Sequence, residues 1–134
     1  MNRVFDASAM IAFLRGEPGS DVVLAILKDP ASRSVAHVVN LCEVYYHFIH
    51  YSDERTAKAA ISDIRAAGIQ VRRDMSARFW MRVGQVKGTI LRVSLADCFA
   101  IALSLHLNGD IVTSDHHEFD PLVQQGIFRA HFIR

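Results

Sequence analysis

Short apolar runs alternate with stretches of helical periodicity along the whole chain. Residues 3–5 ("RVF") form a strand candidate that runs into Asp6. Ser8 is then placed to cap a helix reading "AMIAFLRG", with Gly16 as its stop. A second helical pattern covers Pro18 to Lys28, where Val22, Val23, Ile26 and Leu27 recur at helical spacing. "SRSVA" (32–36) predicts a second strand. "VVNLCEVYYHFIHY" (38–51) and "DERTAKAAISDIRAAG" (53–68) predict two helices, the latter opened by acids and closed by Gly68. "IQVRR" (69–73) predicts a third strand and Met75 to Lys87 another helix. Leu95 to Leu107 reads as a buried helix ending at Asn108-Gly109, with Asp97 its one charged residue. "DIVTS" (110–114) is a fourth strand and "HFI" (131–133) a fifth. Strands alternating with helices predict an α/β fold with a mostly parallel sheet covered on both faces. No proline-, glycine- or serine-rich run marks a linker, so residues 1–134 are expected to form a single domain.

Composition narrows the class. At 134 residues the chain can bury roughly 68 % of its unfolded surface around one core. With 51 % hydrophobic and 22 % charged residues it is an ordinary globular sequence. The uncharged stretch from Cys98 to Gly109 is too short to cross a bilayer, so no membrane partner is expected. Asp6 sits directly before the early apolar run Ala7–Leu14, which argues against a secretory signal. Cys42 and Cys98 are too few for a disulfide scaffold, and both read as reduced core residues of a cytoplasmic protein.

A formal net charge of +1 gives no global field toward nucleic acid. The distribution is uneven, however. Arg72, Arg73, Arg78, Arg82, Lys87 and Arg92 face one acid, Asp74, between residues 72 and 92, so this segment is +5 and the remainder −4. Such a segment is either a solvated helix face or an edge that contacts phosphates, with Arg78 and Arg82 as its RNA-binding candidates.

The carboxylates carry the chemistry. Ligands of open α/β sheets bind at the carboxyl ends of the strands. Asp6 falls at that end of the first strand and Asp115 just past the fourth, so two acids reach one edge if those strands are neighbours. Ser94 to Asp97 has the S-x-x-D form of a capping box, which explains an acid in that first turn without any function. Asn40, Glu43, His47 and His50 share one stripe of their helix, which is either a wet face or the lining of a polar cleft. Four carboxylates in one cleft repel at neutral pH, and a magnesium or manganese ion relieves that repulsion. The chemistry implied is metal-dependent phosphoryl hydrolysis. No G-x-G-x-x-G, P-loop or G-x-S-x-G is present. His116 and His117, adjacent on an expected loop, lack the two further ligands that zinc requires.

These residues resemble a known family. "VFDASAMIAFL", "VNLCEVYY", "SLADCFAIALS" and "DIVTSDHHEF" look like the four successive motifs of PIN-domain ribonucleases, in order, from residue 4 to about 119. The short single-domain form is similar to VapC-type toxins. The resemblance implies a PIN-like α/β/α sandwich and a magnesium- or manganese-dependent endoribonuclease. It also implies a homodimer and, in the toxin branch, a cognate antitoxin. It places the catalytic and metal-binding acids at Asp6, Glu43, Asp97 and Asp115, with Glu43 acting directly or through water. Ser8 and Thr113 match supporting hydroxyl positions. Many of these toxins carry another acid two residues after the late aspartate. Here that position is His117, leaving Glu118 or Asp120 as substitutes. Two rivals stand beside this reading. One is a catalytically silent PIN-like module that only binds RNA or protein. The other is a small phosphotransfer or phosphatase domain with an aspartate nucleophile, against which the missing DxD pair after the first strand counts.

Overall fold

Five short strands, β1 (Asn2–Phe5), β2 (Arg33–His37), β3 (Gln70–Arg72), β4 (Asp110–Thr113) and β5 (Ala130–Phe132), form one sheet. In this computed structural model, which describes residues 1–134, the strand order is β3-β2-β1-β4-β5 and every neighbouring pair is parallel. Seven helices make the crossovers: α1 (Ala7–Arg15), α2 (Ser20–Lys28), α3 (Val38–Tyr51), α4 (Glu54–Ala66), α5 (Ala77–Thr89), α6 (Leu95–Leu107) and α7 (His116–Gln124). The α/β/α sandwich expected from the periodicity is therefore the fold observed.

The alternation of side chains along the strands divides the interior in two. Phe5, Ala36 and Val112 point into a core shared with α1 to α4, around Met10, Val23, Val44 and Ile64. Val4, Val35 and Ile111 point the other way, against Phe79, Val83, Phe99, Ile101 and Phe119 of α5, α6 and α7. Helix α6 is apolar nearly all round and correspondingly buried from Cys98 to Ser104.

Several expectations are corrected. The cap of α1 is Asp6, not Ser8, because the helix begins at Ala7 and the Asp6 carboxylate accepts from the Ala9 N–H. Gly16 does end that helix, in the left-handed conformation. The second helix starts at Ser20 rather than Pro18, and α5 starts at Ala77 behind a Ser76 cap. Residues 116–124 form a helix where a loop was expected, so His116 and His117 lie on its first turn. Cys98 is buried as expected, but Cys42 is exposed, on the outer side of α3 with Tyr46 and Ile49.

Strand order decides where a site can form. The direction of winding reverses between β1 and β4, the position at which open α/β sheets leave a crevice at their carboxyl edge. The register Phe5↔Val112 brings Asp6 level with Thr113.

Candidate active site

Asp6 leaves the end of β1 and is buried. Its Oδ1 accepts from the Ala9 N–H at 2.9 Å and from the Ser8 hydroxyl at 2.8 Å. Ser8 Oγ in turn lies 3.3 Å from Thr113 Oγ1 and accepts from the Ser114 N–H at 3.0 Å. The Asp115 N–H donates to Thr113 Oγ1 at 2.9 Å. Ser8 and Thr113 thus lace the turn after β1 to the turn after β4. Asp115 caps α7, its Oδ1 accepting from the Glu118 N–H at 2.9 Å. Both strand-end acids use one oxygen as a helix cap.

Asp97 is held differently. Ser94 Oγ accepts from the Asp97 N–H at 3.1 Å, so Ser94 is the cap of α6. Only this half of the anticipated capping box forms, and no bond returns from the Asp97 carboxylate to the Ser94 backbone. The Asp97 carboxylate keeps the Ser94 hydroxyl as a partner and lies within Coulombic reach of Asp6, Glu43 and Asp115. Burial, reinforced by the Asp6 and Glu43 charges, pushes its carboxyl up to about 7. Glu43 is likewise raised to about 7, by burial and then by Asp6. Asp6 is raised to about 6, chiefly by burial, while hydrogen bonds from Thr113, Ala9 and Ser8 oppose the rise.

The α3 stripe is graded rather than uniform. Asn40 is fully buried, Glu43 and His47 are half-buried, and His50 is exposed. Asn40 Nδ2 donates to the Ala96 carbonyl at 3.1 Å, tying α3 to the first turn of α6 beside Asp97. Its Oδ1 is buried without a partner. Asn40 is the site residue that sequence reasoning placed on the stripe but gave no task. The signal was its position one turn before Glu43. His37, buried at the end of β2, caps α3 by accepting from the Val39 N–H at 3.1 Å. Its Nε2 faces the Asp74 carbonyl at 2.9 Å, so this ring is a satisfied core histidine.

The structure gathers Asp6, Glu43, Asp97 and Asp115 into one electrostatically coupled group, with Ser8 and Thr113 beneath them. No three of the chain's acidic, histidine or cysteine side chains stand close enough to ligate one ion directly. The donor set nonetheless suits a hard cation that keeps part of its water shell. It consists of carboxylate oxygens, and the unpartnered Asn40 Oδ1 adds another oxygen acceptor. His117 is exposed on α7, and Asp120 is taken by His116 at 3.0 Å, which leaves Glu118 as the free acid of that turn. Arg78 and Arg82 lie elsewhere. They line a cleft with Asp74, Ser76, Phe79 and His106. His106 is nine residues beyond Asp97 on α6, about 13 Å along its axis.

Comparison with known proteins places this geometry. The PIN domain family model matches residues 3–121. No curated protein matches the sequence significantly. The fold is similar to VapBC-1 from nontypeable Haemophilus influenzae, at 15 % identity and a TM-score of 0.73 over 99 % of this chain and 98 % of that one. It is similar to DNA-bound VapBC from Salmonella typhimurium, at 14 % identity and a TM-score of 0.74 over 100 % and 99 % of the two chains. Mycobacterium tuberculosis VapC20, described as a toxin cleaving the sarcin-ricin loop, matches with 16 % identity and a TM-score of 0.66 over 89 % and 94 %. At these identities the likeness is one of fold.

Proposed function

The chain belongs to the PIN-domain family, and from that premise we propose that it is a magnesium- or manganese-dependent endoribonuclease, the toxin of a toxin–antitoxin pair. The observation that carries this reading is the convergence of Asp6, Glu43, Asp97 and Asp115 at the switch point of the sheet, three of them with raised pKa. Asp6, Asp97 and Asp115 would hold the cation directly or through its waters, and Glu43 would hold a water or a second ion. The chemistry that such an ion would supply there is activation of a water and stabilisation of charge on the phosphodiester.

The chain's own residues supply position and charge. Ser8 and the Ala9 N–H fix the Asp6 carboxylate through its Oδ1, and Thr113 braces it from the end of β4. Asn40 holds the α3 turn bearing Glu43 against the α6 turn bearing Asp97. Burial raises Glu43 and Asp97 to about 7 in the metal-free protein, a cost that a divalent cation bound beside them would relieve. Arg78 and Arg82 contact the RNA backbone away from the acids. An RNA substrate goes with a cytoplasmic enzyme, and no helix is long and apolar enough to cross a membrane.

The antitoxin belongs to the proposal because the sequence resembles VapC-type toxins and two of the similar folds are VapBC structures. Exposed Leu24, Tyr46, Ile49, Trp80, Leu91 and Leu95 offer apolar surface for that partner and for a homodimer. The decisive experiment incubates a mixed RNA pool with the protein, with and without magnesium, beside Asp6→Asn. Cleavage that needs both magnesium and Asp6 supports the nuclease. RNA binding without cleavage under any metal assigns the chain to the silent-module reading.

A further inference from the structure

We infer that two adjoining clefts around β3 and the start of α5 form a phosphate-binding track, which grips RNA several nucleotides away from the bond that is cut. This inference rests on the nuclease reading for its choice of RNA as the polyanion. One cleft, about 240 Å³, is lined by Ser76, Arg78, Arg82 and His106 over the edge of Phe79. Its neighbour, about 420 Å³, is lined by Arg65, Arg72 and Arg73 along the edge strand β3. The two meet at the Arg72–Asp74 pair, in which both carboxylate oxygens accept from the guanidinium at 2.8 and 2.9 Å.

That pair removes the only acid of the two clefts from play. Arg3, Arg15, Arg72, Arg129 and Arg134 are each engaged by a carboxylate, whereas Arg65, Arg73, Arg78 and Arg82 have no carboxylate partner. Four guanidinium groups without a carboxylate partner therefore line two neighbouring hollows. The smaller hollow lies below the roughly 300 Å³ of the smallest usual small-molecule pockets, enough for a sugar–phosphate unit and too little for a whole cofactor. Two such neighbouring hollows suit a strand of repeating phosphates, for which the planar guanidinium is the matched donor.

An acidic protein segment is the competing occupant. Such interfaces are anchored by an apolar or aromatic core, and the smaller cleft presents only Phe79, itself 7 % exposed. The distance sets the register. Asp97 and His106 are about 13 Å apart along the axis of α6 and on opposite sides of it, so the path outside the protein takes at least about four stacked nucleotides at 3.4 Å each.

Binding of a fluorescent single-stranded RNA 20-mer to full-length Asp6→Asn protein, followed from low to high salt, tests the track. Each phosphate contact to single-stranded nucleic acid adds roughly 0.7 to the slope of log affinity against log salt. Adding Arg78→Ala and Arg82→Ala should lower that slope by roughly 1.4, and adding Arg65→Ala and Arg73→Ala by roughly as much again. Lys28→Ala with Arg55→Ala, on surfaces outside both clefts, should leave it unchanged, and circular dichroism checks that each variant is folded. A slope that survives loss of all four arginines in folded protein overturns the track. Poly-aspartate binding more tightly than RNA, with the same arginine dependence, overturns the choice of RNA and gives the surface to an acidic protein. RNA held with the expected slope, yet left uncut by the wild type in magnesium, supports the track and removes the nuclease reading on which its purpose rests.

Discussion

Asp97 shows how a single carboxylate is kept costly. With its carboxyl raised from 3.8 to about 7, the folded protein binds protons that the unfolded chain releases. The stability linked to that protonation is complete below about pH 4 and is lost as pH rises through 7. Glu43, raised to about 7, and Asp6, raised to about 6, act in the same direction. His37 opposes them, since burial lowers its pKa and its contribution is lost as pH falls. Asp97→Asn isolates the acid. At pH 8 without divalent metal, the variant should melt higher than wild type by a few degrees, corresponding to about 1–2 kcal/mol. That gain should vanish at pH 4, and RNA cleavage should fall by about 100-fold or more. Thermal melts at the two pH values and a cleavage assay decide it. A variant that melts lower at pH 8 and still cuts returns Asp97 to a purely local role. Added magnesium should raise the melting temperature of wild type more than that of Asp97→Asn.

The ends of helices do much of the positioning. Asp115 is both a cap and a proposed ligand, so two substitutions separate its tasks. Asp115→Asn keeps an acceptor for the Glu118 N–H and should lose activity with little change in stability, whereas Asp115→Ala should also lose about 1 kcal/mol. Chemical denaturation beside a cleavage assay distinguishes them. Gly109 sets the entry to β4, where a Cβ would stand 2.6 Å from the Asn2 carbonyl oxygen. Gly109→Ala should therefore cost about 1–3 kcal/mol, read in the same denaturation experiment. Elements with strong apolar periodicity were legible in the sequence, and α3 and α6 have the bounds their patterns predict. Helix α7 was not, because Pro121 lies inside it and its first turn is polar. The cap of α1 was misplaced since Asp6 and Ser8 are both good capping residues, and only the true end of β1 chooses between them. Strand-end logic brought Asp6 and Asp115 to one edge. Asn40 remained silent because a buried amide on a half-polar stripe looks like a wet one until its partner on α6 is known. Cys42 misled for the opposite reason, as an apolar residue on the outward face of an apolar helix.

At the scale of the molecule, apolar surface left uncovered is the main expectation still to be met. Tyr46 is 60 % and Ile49 39 % exposed on one side of α3, which suits a symmetric interface. Wild type should sediment as a dimer at micromolar concentration, and Tyr46→Glu with Ile49→Asp should sediment as a folded monomer. A monomeric wild type counts against the interface. Expression alone should arrest growth, and co-expression with the neighbouring reading frame should restore it. Equal growth in both cases, with wild type no more harmful than Asp6→Asn, would remove the toxin assignment. The strand order carries one more consequence, for the chain while it is being made. β1 is the first strand synthesised, yet β4, which flanks it, begins 105 residues after β1 ends. Until Thr113 has left the ribosome, Asp6 lacks the wall that completes its surroundings, and until Asp115 follows, the fourth acid does not exist. Contacts this distant in sequence form late and slowly. On the nuclease reading proposed above, a nascent chain is inert toward the message that encodes it, and cutting begins only after Asp115 has left the ribosome.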